Sequence, residues 1–80
     1  MKRRPRIRER KLGRHRADGL YWAGGLIEID PRQLSRDRLD TLLHEMLHHY
    51  CPHWSEEKVT ETARQMTSVL WRQRYRRVER

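Results

Sequence analysis

Eighty residues bound the chain to one domain, and 35% hydrophobic against 38% charged side chains leaves material for only a small core. The net charge of +8 favours acidic partners such as nucleic acid or an acidic substrate. Cys51 is the only cysteine, which excludes an internal disulfide, and no apolar run approaches the roughly 20 residues of a membrane span.

The first 16 residues are a basic arm with Ile7 and Leu12 as its large apolar side chains after Met1. They are expected to be disordered or, over residues 7–12, to form a strand with a weak apolar face. Positive charges at the start are followed by no apolar stretch, so the reading is a cytoplasmic protein without a signal peptide. Residues 19–30 carry no basic side chain. Two β-prone runs flank Gly24-Gly25 there, which predicts a hairpin, with Ile27 and Ile29 alternating with Glu28 as in a half-buried strand. Asp30-Pro31 ends it.

The period then changes. Leu39, Leu42, Leu43, Met46, Leu47 and Tyr50 recur at steps of three and four, which predicts an amphipathic helix over residues 36–50, with Ser35 as N-cap and Asp37 in the first turn. Pro52 stops it. Ser55 is the expected cap of a second helix over residues 55–75, with Glu56 and Glu57 in its first turn and Val59, Ala63, Met66, Val69 and Leu70 as its apolar stripe. The tail, residues 72–80, is basic again. The fold class is therefore α+β, a short hairpin or small antiparallel sheet packed on two antiparallel helices. Trp22, Trp54 and Trp71 are candidates for core or interface positions.

His44-Glu45-Met46-Leu47-His48 lies on the first helix. Four residues apart, the two imidazoles stand one above the other on one face, so both can bind one metal ion. With Leu39 as origin, the leucine stripe centres near about 10° and the histidines at about 140–180°, so they form a face of their own with Glu45 beside it. A glutamate directly after the first histidine does not easily join the metal. It reaches a metal-bound water and accepts its proton, which makes this an HExxH arrangement suited to zinc-dependent hydrolysis of a peptide bond.

A catalytic zinc takes three protein ligands and an open position. His49 is rotated about 100° from His48 and should miss the ion. Glu56 precedes Val59 by three residues and shares the side of the second helix that packs on the first, so it is the favoured third ligand. His53, Glu57, Glu61 and Cys51 are alternatives, although Glu57 and Glu61 lie about 160° and 200° from Val59, on the solvent side. If His44, His48, Cys51 and His53 closed a tetrahedral shell, the zinc would be structural and the chain a small nucleic-acid- or protein-binding module. A metal-free helical hairpin acting through its charge is the third reading.

The stretch from Leu42 to His48 resembles the active-site helix of the zincin metallopeptidases. Residues 56–63 are similar to the glutamate helix of the gluzincin branch and to the E-x-x-A-x-x-F-A pattern of ImmA/IrrE-type peptidases, with Glu56 at the ligand position and Val59 and Ala63 at the two alanines. The layout over residues 26–71 also looks like that of small phage-encoded SprT-like metallopeptidases. The resemblance implies one zinc ion held by His44, His48 and Glu56, Glu45 as general base, and a protein or peptide substrate bound in extended form along an edge strand, here residues 26–30. It is compatible with DNA or an acidic partner on the basic termini. Seven residues separate His48 from Glu56, fewer than in most gluzincins. His49 and Tyr50 are the available substitutes for a transition-state-supporting side chain. So reduced a chain is either a minimal protease or a metal-binding remnant.

Overall fold

The computed structural model describes residues 2–78. Its elements in order are β1 (Arg6–Glu9), a 3-10 turn (Gly13–His15), β2 (Gly19–Trp22), β3 (Leu26–Ile29), α1 (Ser35–Tyr50) and α2 (Glu56–Arg72). The class is α+β: a three-stranded mixed sheet with α1 packed on one face and α2 packed on α1. No helix among the described residues is long and apolar enough to cross a membrane. Met1 and the last two residues of the basic tail lie outside the described residues.

The expected hairpin forms. β2 and β3 pair antiparallel, with Gly19 opposite Ile29 and Trp22 opposite Leu26. The turn needs two residues at positive φ, and Gly24 and Gly25 supply them at 99° and 93° without a Cβ penalty.

The N-terminal arm takes the strand alternative, over residues 6–9 rather than 7–12, and in a pairing the sequence did not suggest. Residues 6–9 form β1, which pairs parallel with β3 in the order β1-β3-β2. The sheet is therefore mixed rather than antiparallel, and residues 26–30 are its centre, not its edge. The edge beside the helices is β2. The physical reason is a carboxylate. Glu28 points away from the helices yet is only 1% exposed. It accepts hydrogen bonds from Arg8 and Arg10, which flank the end of β1, and from Trp22 of β2. A buried carboxylate is costly unless it is paired and hydrogen-bonded, so this clasp ties all three strands together on the uncovered face. Asp30 plays a similar part at the strand ends, accepting from the Leu12 amide and from Arg32. The Arg10 and Arg8 guanidiniums hold the Glu28 carboxyl at about 2, and Arg32 and the Leu12 amide hold that of Asp30 far below the ordinary carboxylate range.

The helix-facing side carries the apolar core. Ile27, Ile29, Leu12, Val59 and Ala63 are fully buried and Leu43 nearly so. Burial of each large side chain is worth about 1.5–3 kcal/mol, so a core this small leaves a thin margin. α1 packs on β2 and β3, and α2 packs on α1. The helices are antiparallel: His48 and His44 meet Glu56 at the start of α2, whereas Asp40, earlier in α1, accepts from Thr67 further along α2.

Three local expectations change. Ser35 is the first helical residue rather than the cap; Leu34 takes that place with no side-chain bond. α2 buries Val59, Ala63 and Thr67, a row of four-residue steps, while Met66 and Val69 stay exposed, because the Thr67 hydroxyl is satisfied by Asp40 and can be buried. Tyr50 is exposed at the end of α1. Ser55 does cap α2, accepting from the Lys58 amide at 3.1 Å.

Candidate metal centre

One stretch of α1 and the first residue of α2 make the site. The five residues 51–55 reverse the chain between the helices, and the Ser55 cap fixes where α2 begins. That placement carries Glu56 onto the histidine face. Its Oε1 lies 2.7 Å from His44 Nε2 and its Oε2 lies 2.9 Å from His48 Nε2. The two Nε2 atoms are 3.2 Å apart. Two ligands about 2.0–2.1 Å from a tetrahedral zinc are separated by roughly 3.3 Å, so this set is close to what one ion requires. Among the described residues, His44, His48 and Glu56 are the group whose ligand atoms converge, all within 4.8 Å.

The alternatives are not brought together. Cys51 is half-buried and His53 exposed, and neither belongs to the cluster. Glu61 instead accepts from Gln65 and lies near Arg64, and Glu57 is exposed. A closed four-ligand shell is not formed.

Glu45 lines the same open cleft of about 490 Å³, with Gly19, Leu20 and Tyr21 of β2 and with Pro52. It is 8% exposed. Burial pushes its carboxyl above the ordinary range, against the pull of His44 and His48. A carboxyl shifted upward is a stronger base when ionised.

His49 turns away from the cluster, as its angle on the helix requires. It is buried, with Nε2 2.7 Å from the Arg3 carbonyl and Nδ1 2.8 Å from the Tyr21 hydroxyl. In the neutral ring Nε2–H donates to the carbonyl and Nδ1 accepts from the Tyr21 hydroxyl. Lys2 Nζ donates to the His49 carbonyl. His49 is thus a strut between the N-terminal segment, β2 and α1, and neither it nor exposed Tyr50 lines the cleft.

Gly19 is a site residue that sequence reasoning passed over. A Cβ placed there would lie 2.5 Å from Thr41 Cγ2, 3.1 Å from Glu45 Cγ and 3.2 Å from Glu45 Oε2. β2 can approach α1 and lie along Glu45 only because this position has no side chain. The signal was faint, a lone glycine opening a β-prone run. No known protein family, characterised protein or solved structure matches this chain.

Proposed function

We propose that this chain is a zinc-dependent peptide hydrolase of the zincin type. The observation that carries the reading is the convergence of His44, His48 and Glu56 in a cleft that also holds Glu45 and is bordered by the edge strand β2. Two imidazoles and one carboxylate are a catalytic zinc set that leaves a position open. Zinc held by these three residues would supply an acidified water and polarisation of a substrate carbonyl. Glu45 takes the proton at its carboxylate and holds it for the leaving amine. The outer edge of β2 offers unpaired backbone donors and acceptors to an extended peptide, which would add as a further strand. Gly19 keeps that edge against Glu45. The edge strand is thus β2, and Leu26–Ile29 supports it from behind.

The test uses the purified chain with one equivalent of zinc and a library of unstructured peptides. Glu45→Gln should keep the metal, by elemental analysis, and lose about 10²–10⁴-fold in cleavage rate. Equal turnover by Glu45→Gln, or no cleavage of any peptide by the zinc-loaded wild type, contradicts the reading.

A further inference from the structure

The sheet face turned away from the helices has no structural layer over it, yet its charged side chains are held in place. Arg8 and Arg10 are fixed by buried Glu28, and Arg32 by buried Asp30, with the arginine side chains 60%, 45% and 57% exposed. Both carboxylates lie beneath the guanidiniums, so the outer surface is basic. The turn after β1 continues it, since Arg14 and His15 border the same hollow as Arg10 and Arg32. Trp22 stands on this face, 42% exposed, with its indole N–H anchored 2.7 Å from Glu28 Oε1 and His15 meeting its ring nearly at right angles.

We infer that this face binds single-stranded nucleic acid, with Arg8, Arg10, Arg14 and Arg32 on phosphates and a base stacked on Trp22. The charge surplus fits a polyanion, because the two carboxylates cannot neutralise these arginines and the chain carries +8 overall. A duplex fits less well: groove reading needs a projecting helix or ribbon, and this surface is a sheet. Cationic grooves with surface aromatics are how unpaired strands are held, whatever their sequence. Salt-linked arginines would normally be spent on their partners. Here the partners sit under the surface, and the outward sides of the guanidiniums stay free for a second anion.

Fluorescence anisotropy of the whole chain with a fluorescein-labelled 15-mer of dT tests this across 50–200 mM salt. Affinity should fall with salt by about 0.7 log units per log unit for each phosphate held. Arg14→Gln should reduce that slope by about one phosphate's worth. Trp22→Leu should weaken binding roughly fivefold or more with the slope unchanged, and Trp22→Tyr, which keeps a stacking face, should retain most of the affinity. Arg64→Gln, on α2, should change neither. The inference is overturned if dT fails to bind at 50 mM salt or if a duplex of equal length binds as tightly. It is also overturned if Arg64→Gln matches Arg14→Gln, if both Trp22 variants bind as wild type, or if vesicles of phosphatidylserine bind and dT does not displace them.

Discussion

Two glutamates define the two sides of this small protein, and they are handled in opposite ways. Glu28 is 1% exposed and surrounded by donors from Arg8, Arg10 and Trp22. Glu56 has a side chain 68% exposed and meets two imidazole nitrogens that also crowd each other at 3.2 Å. A buried acid with its donors supplied is a structural staple, since losing its arginines would leave a buried charge uncompensated. An exposed acid gains little by pairing with imidazoles in water. Its convergence with two histidines is the geometry on which the proposed metal centre rests.

The widest separation of the two should come from metal addition. If the site binds zinc, a hundredfold excess over Kd stabilises the chain by about 2.7 kcal/mol. For a domain of this size that raises the melting temperature by roughly 10–20 °C. His48→Ala should abolish the rise. Glu28→Gln should lower the starting temperature and leave the rise intact. Circular-dichroism melts with zinc and with a chelator measure both, and a Glu28→Gln variant that no longer responds to zinc would merge the two sides.

A smaller effect is expected at the close approach of strand and helix. Gly19→Ala places a methyl group against Thr41 and Glu45. It should cut peptide cleavage about tenfold, which is ~1.4 kcal/mol of activation free energy, with little change in zinc affinity. Pairing it with Thr41→Ser removes the 2.5 Å contact while keeping a hydroxyl for Gln33, and should recover part of the rate. A loss of zinc in Gly19→Ala would instead place the damage on the ligands.

Ser55→Ala comes next. It removes the cap that sets the first turn of α2 and with it the position of Glu56. Loss of a cap costs about 0.5–2 kcal/mol, and urea unfolding measures it. The midpoint should fall whether or not zinc is present.

The gentlest probe is pH. Glu28 titrates at about 2 in the folded chain against an ordinary 4.5. A lowered carboxylate contributes stability that is complete above its unfolded value and is lost as pH falls through the folded one. The fold should therefore weaken progressively from about pH 4.5 towards 2, and Glu28→Gln should flatten that limb. An unchanged acid limb in the variant would remove the clasp from the explanation.

What could be read from the chain depended on how local its determinants were. His44, Glu45 and His48 are set by the pitch of one helix, and the angular offset of Glu56 from Val59 was enough to place it on the facing side. Sheet order was different. β1 looks like a charged tail because its outward arginines are satisfied by Glu28, which lies twenty residues away from Arg8, and no short window contains both. That hidden pairing moved β3 to the centre and gave the edge to β2. Thr67 illustrates the same limit, since a polar residue joined the buried row of α2 through Asp40, 27 positions earlier. Gly19 was overlooked because its role is defined by what two other elements place next to it.

The zinc content of the purified chain and two variants tests the metal centre most directly. Elemental analysis after dialysis against a small excess of zinc should find one ion per chain. Cys51→Ser should leave that ratio unchanged, and Glu56→Ala should weaken binding by more than about a hundredfold, beyond what an outer-shell change costs. Loss of the ion in Cys51→Ser, with full retention in Glu56→Ala, would contradict a centre built from His44, His48 and Glu56.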